Sequence, residues 1–407
     1  MKLPRTAYIL LWFPKPSETF IFREVVNLRK AGLPLKIFTL YGELTRGLSE
    51  EMRGVSADAE RLGIHYLGHA LPDVLYWWKR DRKRVVELFR TVLWRRWRGL
   101  EKTGESLWAS LCAFRLARRF EEEQIEHIHA PWACGPATAA WIASRLTGIP
   151  FSFTCRAWDI YPPDSVLRDK LRDAAFVRSE TQANIRHLAA VCEADTAKMH
   201  LTYNGVPLAR HAEAPATMTP PYQLLAVGRF IDKKGYEFLL RACKQLADGG
   251  MDFHLTLAGD GPRKSRLKRL AHDLGLDGRV SFPGFVSYDG ISDIFRAADI
   301  FIMPSVVRAS GDRDGLPTVI MESLMHRVPV IATNVSGIPE LIEDGITGLL
   351  IPEKDPAAIA RAVMRLASDR TSALAMAERG RAKVRDLFDP ERNHKKVLEL
   401  YQTLVAR

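Results

Sequence analysis

The stretch Pro304–Glu322, P-S-V-V-R-A-S-G-D-R-D-G-L-P-T-V-I-M-E, decides how the rest of the chain is read. Before it stands Ile300-Phe301-Ile302-Met303, an apolar run of strand length that stops at Pro304. A polar loop with two glycines then leads to Pro317, a residue favoured in the first turn of a helix. The pattern predicts a strand, a loop and a helix from roughly Thr318 to His326. The first backbone N–H groups of such a helix have no partner within it and carry partial positive charge, which suits a diphosphate. Asp314 lies on the loop and Glu322 on the helix. Ionised carboxylates accept hydrogen bonds, so a pair placed around an anion site can hold sugar hydroxyls. A loop followed by a solvated helix is the plain alternative, and spacing alone leaves it open.

Outward from this stretch the second half alternates strands and helices. Strands are expected at Gln223–Val227, Phe253–Ala258, Val280–Phe282 and Pro329–Ala332 as well as Ile300–Met303, and helices at Gly235–Asp248, Arg263–Leu274 and Ile291–Ala297. The first half does the same, with strands at Ala7–Phe13, Leu35–Leu40, Ile125–Ala130 and Phe151–Thr154, and Ala174–Arg178 reads as one of the last pieces of that domain. This alternation predicts an α/β protein with parallel sheets. Domain boundaries are expected at 1–207 for an N-terminal domain, 208–221 for a Pro-rich linker, 222–388 for a C-terminal domain and 389–407 for a final helix. Two such domains form a cleft, a favoured place for ligands.

The length of 407 residues fits two domains, and 47% apolar with 26% charged residues excludes disordered and fibrous classes. Five cysteines, with no C-x-x-C pair, fit reduced thiols in the cytosol and imply no zinc site. The apolar run Ala7–Phe13 ends at Pro14 and Lys15, too early for a signal segment, and no run is long enough to span a bilayer. Net charge is +11, of which +9 falls in residues 1–210. Residues 76–100 carry +7 together with Trp77, Trp78, Trp94 and Trp97. Basic residues interleaved with Trp suit an anionic membrane surface. Nucleic acid and a solvated helix with inward-packed Trp are the competing readings, and the membrane is preferred. The expected location is therefore cytoplasmic and peripheral to the membrane.

Several residues sit where open α/β sheets bind ligands, beyond the carboxyl ends of strands. Arg229 and Lys234, flanking the end of one strand and the start of a helix, are placed to neutralise a diphosphate. Gly259-Asp260-Gly261-Pro262 is a turn signal only, and no G-x-G-x-x-G fingerprint follows either first strand. In the first half the loop Pro14–Glu18 is a candidate acceptor loop, and Arg156-Ala157-Trp158-Asp159 follows another strand. A lone Arg near an Asp is also the mark of a structural ion pair.

With these residues assembled, the chain resembles glycosyltransferase family 4, retaining enzymes of the GT-B fold that use nucleotide-sugars. The motifs are V-G-R-F-I-D-K-K-G at 227–235, L-A-G-D-G-P at 257–262, D-G-L-P-T-V-I-M-E-S-L at 314–324, P-V-I-A-T at 329–333, S-G-I-P-E-L-I-E-D-G at 336–345 and G-L-L-I-P at 348–352. F-P-K-P-S-E-T-F at 13–20, H-I-H-A at 127–130, T-C-R-A-W-D-I-Y at 154–161 and Y-N-G-V at 203–206 resemble the branch that builds exopolysaccharide and other surface glycans. The resemblance implies two Rossmann-like domains facing each other across a cleft, with the last helix crossing back to the first domain. It implies that Arg229 and Lys234 hold the donor diphosphate and that Glu322 binds the ribose. Asp314 would meet the transferred sugar, Gly315, Leu316 and Pro317 its phosphate, and Phe285 and Val286 the base. Asp314, Arg156 and Glu322 form the expected catalytic set, and Ser17, Glu18, Thr19, His129 and Asp159 the acceptor side. No metal and no cofactor are implied, the nucleotide-sugar being substrate; the expected acceptor is a glycan, lipid-linked or free. The family carries Glu where Asp314 stands and His where Arg156 stands, and the shorter Asp moves its carboxylate by about one methylene. These two departures keep open a catalytically weak or silent relative, and a GT-B nucleotide-sugar epimerase is a further alternative.

Overall fold

The computed structural model describes residues 3–16, 18–44, 48–93, 100–161, 164–205, 218–286 and 290–405. Ser17, and Trp94, Arg95, Arg96, Trp97 and Arg98 of the basic stretch, lie outside the described residues. The chain divides into two units, one made of Met1–Asn204 with Glu391–Arg407, the other of Gly205–Pro390.

The first unit is built on a seven-stranded sheet: β1 (Thr6–Leu10), β2 (Leu35–Thr39), β3 (Glu60–Arg61), β4 (His127–Ala130), β5 (Phe151–Cys155), β6 (Phe176–Ser179) and β7 (Met199–Leu201). Their spatial order is β3-β2-β1-β4-β5-β6-β7, and every pairing is parallel. Successive side chains of a strand point to opposite faces. Ala7 and Ile9 accordingly join one apolar cluster with Phe38, Phe120 and Phe153, while Tyr8 and Leu10 join another with Phe22, Val25 and Ile37.

That second cluster contains Val397 and Tyr401, both fully buried, from the last helix, Pro390–Val405. The Tyr401 hydroxyl meets that of Tyr8 at 3.0 Å, and Asn27 meets His394 at 3.2 Å. Beneath it Arg178 on β6 makes two hydrogen bonds of 2.9 Å to Glu24, whose carboxylate also accepts from Tyr8 at 3.1 Å. Burial alone would raise the Glu24 carboxyl, but the Arg178 charge and its hydrogen bonds hold it well below the ordinary carboxylate range.

The second unit has a six-stranded parallel sheet: β8 (Tyr222–Val227), β9 (Phe253–Ala258), β10 (Val280–Gly284), β11 (Ile300–Met303), β12 (Val330–Thr333) and β13 (Leu349–Ile351), in the order β10-β9-β8-β11-β12-β13. All four residues of β11 are buried, as in a parallel strand covered by helices on both faces. Its core gathers Leu224, Ala226, Leu255, Leu257, Ile300 and Ile302. The strands β3, β7 and β13, of two or three residues, are too short to leave a pattern in the sequence.

Both sheets share one topological property. The strand order reverses between β1 and β4 in the first and between β8 and β11 in the second. In open α/β sheets the crevice at that reversal, beyond the carboxyl ends, receives ligands.

Candidate functional site

In the second unit, β8 runs into Gly228 and Arg229, and Phe230, fully buried, anchors the turn that follows. Asp232–Lys234 form a single 3-10 turn closed by Gly235 at φ +67. A Cβ at Gly235 would lie 1.9 Å from the Pro304 carbonyl oxygen. Only glycine lets the lysine-bearing turn rest against the loop after β11. The Val306 amide donates to the Lys233 carbonyl at 2.8 Å and joins the two loops.

This contact brings together groups that are 80 residues apart in the chain. Lys234 Nζ is 2.9 Å from Asp314 Oδ2, Lys233 Nζ is 3.0 Å from Asp312 and 3.9 Å from Asp314, and the Ser305 hydroxyl donates to Asp314 at 2.9 Å. Burial tends to raise the Asp314 carboxyl, but Lys234, Lys233 and Ser305 outweigh it and hold it below its ordinary value. Asp314 is therefore ionised at neutral pH. Arg229 is exposed, and among the described residues its side chain has no ion pair.

The helix Thr318–Met325 opens at Pro317 with no side-chain cap and no acidic residue in its first turn. Its end is left positive and open to an anion. Gly315 is fixed by the Gly337 amide, which donates to its carbonyl at 3.0 Å, and Leu316 is half-buried. Glu322 is half-buried on the same helix. Phe285, 80% exposed, and half-buried Val286 follow β10, two strands over from β8 and so roughly 10 Å to one side. Among the described residues the Tyr236 hydroxyl is buried without a hydrogen-bond partner, and a Cβ on Gly228 would lie 2.7 Å from it.

In the first unit the loop after β1 holds Lys15 and Glu18 in an ion pair of 2.6 Å, and the Trp132 indole donates to Glu18 at 3.4 Å. Thr19 opens the helix Thr19–Lys30 and is half-buried. Arg156 is only 4% exposed; its guanidinium lies 4.4 Å from the Phe20 ring centre and 5.2 Å from that of Trp132, donates to the Pro131 carbonyl at 3.1 Å, and is ion-paired with Glu180. Burial lowers its pKa to about 10, which leaves it charged at neutral pH.

Two residues expected on the acceptor side take other tasks. His129 is fully buried within β4, where its ring nitrogens meet Ser152 and Thr154 at 2.7 and 3.2 Å. Asp159, 1% exposed, accepts the amides of Ala133 at 2.6 Å and Arg156 at 2.8 Å. Burial raises its carboxyl to about 7 against the pull of those two amides. Both residues position the strand ends and offer no open face. Trp77, expected at a membrane surface, is instead buried, with its indole donating to the Phe114 carbonyl at 3.0 Å.

Lys233, Ser305, Tyr236 and Glu180 join these sites without having been singled out; only Lys233, inside the Lys-Lys-Gly motif, carried a signal. Among the described residues no cluster of His, Cys, Asp and Glu could hold a metal ion, and no helix is long and apolar enough to cross a membrane.

The model of the glycosyl transferases group 1 family matches residues 210–383, the unit that carries Arg229, Lys234 and Asp314. The putative colanic acid biosynthesis glycosyltransferase WcaL of Salmonella typhimurium is 32% identical over 98% of this chain and 100% of its own length. Its Escherichia coli namesake is 35% identical over 48% of each chain. The crystal structure of Anabaena HepE in complex with UDP superposes with a TM-score of 0.73 at 15% identity, covering 98% of this chain and all of that one, a likeness of fold. With the paired switch points of a GT-B scaffold and a relative matched from end to end, the chain belongs to the glycosyl transferases group 1 family.

Proposed function

We propose that the chain is a retaining family 4 glycosyltransferase that moves a sugar from a UDP- or GDP-sugar to a lipid-linked glycan acceptor in surface polysaccharide synthesis. The observation that carries this reading is the Lys234–Asp314 pair set beside an uncapped helix N-terminus. The donor diphosphate competes for Lys234 and draws it from Asp314, whose carboxylate then accepts from the sugar hydroxyls. Arg229 and the first amides of the helix Thr318–Met325 take the remaining phosphate charge, Glu322 the ribose, and Phe285 with Val286 the base. The acceptor oxygen bonds to the anomeric carbon on the face from which the phosphate departs. The carbon–oxygen bond to the diphosphate breaks, and the leaving phosphate oxygen receives the acceptor's proton. No covalent protein intermediate and no metal take part. HepE with bound UDP and the colanic acid biosynthesis named for WcaL support the donor class and the pathway.

Nucleotide release from a panel of UDP- and GDP-sugars, in the presence of a chelator, tests the reading, with product anomers identified by NMR. If the protein neither binds nor turns over any donor, it is wrong. A weak relative is the second reading, favoured by Arg156 lying enclosed by Phe20, Trp132 and Glu180. Arg156→His with Asp314→Glu would raise a measurable wild-type turnover severalfold if that reading holds.

An anionic membrane surface, with no nucleic acid, completes the proposal. Ile64, Leu67, Leu71, Leu75 and Trp78 are exposed at three- and four-residue spacings across the 3-10 helix Ile64–His69 and the helix Ala70–Arg80. Arg82 stacks 5.0 Å from the Trp78 ring. Apolar side chains on one helical face with cations beside them suit the cytoplasmic headgroup layer. Flotation with phosphatidylglycerol vesicles should be lost in the double change Leu71→Glu, Leu75→Glu.

A further inference from the structure

Four neighbouring strands of the first sheet each deliver an aromatic side chain just past the carboxyl end. In spatial order, β2 ends at Thr39 and is followed by Tyr41, β1 ends at Leu10 and is followed by Trp12, β4 ends at Ala130 and is followed by Trp132, and β5 ends at Cys155 and is followed by Trp158. Paired strands lie about 4.8 Å apart, so the row spans roughly 14 Å. It straddles the β1/β4 reversal, where an α/β sheet receives its ligand.

The rings are held in contact. Trp12 stacks on Tyr41 with centroids 4.5 Å apart and planes at 17°, and Trp132 meets Trp158 edge to face at 6.1 Å. Tyr41, Trp12 and Trp132 are half-buried and Trp158 is 41% exposed, unlike the core rings of the same unit such as Phe38 and Phe153, which are fully buried. Charge is set among them: Lys15 Nζ lies 5.6 Å from the Trp12 ring centre, and Glu18 joins Lys15 to the Trp132 indole.

We propose that this row is a subsite for a saccharide chain of two or more residues, the non-reacting part of the acceptor, with Trp12, Trp132 and Trp158 as stacking faces. The proposal rests on the acceptor being a glycan, as inferred above, and adds the residues that select it. A pyranose ring shows a flat face of polarised C–H groups, which fits the negative face of an aromatic ring, while its rim of hydroxyls needs hydrogen-bond partners. Glu18 accepts and Lys15 donates at the edge of the row. A hydrocarbon chain laid there would strip water from both charges with nothing in exchange. Trp also loses little side-chain freedom on binding.

The test uses the full chain and three probes: size-fractionated oligosaccharides from partial acid hydrolysis of the exopolysaccharide made by the organism that encodes the chain, UDP and GDP, and decyl phosphate. By calorimetry, oligosaccharides of two or more residues should bind and quench tryptophan fluorescence. Trp12→Ala and Trp158→Ala should each weaken that binding at least tenfold, Trp158→Phe should restore most of it, and nucleotide affinity should be unchanged in all three. In turnover the loss should fall on acceptor KM more than on kcat. The subsite is overturned if no oligosaccharide binds, if both alanine variants stay within twofold of the parent, or if decyl phosphate binds the row as tightly as the oligosaccharides. Failure of UDP and GDP to bind would count against the proposed function instead, and the oligosaccharide titration stands apart from it.

Discussion

Lys234 is tied to Asp314 at 2.9 Å while Arg229 is exposed, so the two cations proposed for the donor start from different states. Binding exchanges one ion pair of Lys234 for another, whereas Arg229, without an ion pair among the described residues, gains one. The double change Arg229→Ala, Lys234→Ala should lower UDP or GDP affinity at least a hundredfold by calorimetry, because two charge-assisted contacts are each worth about 1.5–3 kcal/mol. Tyr236 offers a separate check. Its buried hydroxyl has no partner among the described residues, and an unmet buried group costs about 1–3 kcal/mol. Tyr236→Phe should therefore raise the Tm of the unliganded protein by several degrees in a thermal scan. Lys234 and Asp314 could be picked from the sequence because each lies in a motif with a strand end on one side and a helix start on the other. Their mutual contact could not, since it depends on Gly235 admitting the Pro304 carbonyl. Arg156 was legible as a residue at a strand end, but Phe20, Trp132 and Glu180, which enclose it, come from three other segments.

At the scale of elements, the turn Asp232–Lys234 and the loop after β11 form one clamp. Gly235→Ala would add a Cβ 1.9 Å from the Pro304 oxygen at a left-handed backbone angle, so the turn must move. UDP or GDP affinity should fall at least tenfold in that variant while β8 and β11 keep their hydrogen-exchange protection. In the first unit, β6 and the helix Thr19–Lys30 are joined by the buried Arg178–Glu24 pair. Glu24→Gln would leave the guanidinium buried beside a neutral group and destabilise the unit by about 3–5 kcal/mol in denaturant titration. The sign with pH follows from the depressed Glu24 carboxyl. Its stabilisation is fully present above the unfolded value of about 4.3 and is lost as pH falls through the folded value, so Tm should drop on acidification below that point. Glu24→Gln should remove this part of the acid sensitivity. The main strands were legible because parallel strands covered on both faces are continuous apolar runs. The placement of Trp77 was not, because its neighbours Lys79, Arg80 and Trp78 are exposed and its own pattern differs from theirs only in helical phase.

At the scale of the whole chain, the sequence motifs for the donor side all fall within one contiguous unit, 205–390, and the alternation of strands and helices sufficed to predict two parallel sheets. The first unit is discontinuous. Val397 and Tyr401 complete its second apolar cluster, so ending the chain after Asp389 should lower hydrogen-exchange protection in β1 and β6 and leave UDP or GDP binding intact. That arrangement also bears on how the protein is made. A ribosome finishes residue 204 long before it reaches residue 391, and at about 5–20 residues per second the gap lasts on the order of ten seconds or more. During that interval the nascent first unit presents Tyr8 and the Glu24–Arg178 pair without their cover. The segment synthesised second, 205–390, is whole as soon as it emerges. The first unit, begun first, is thus completed only after 205–390 has been made.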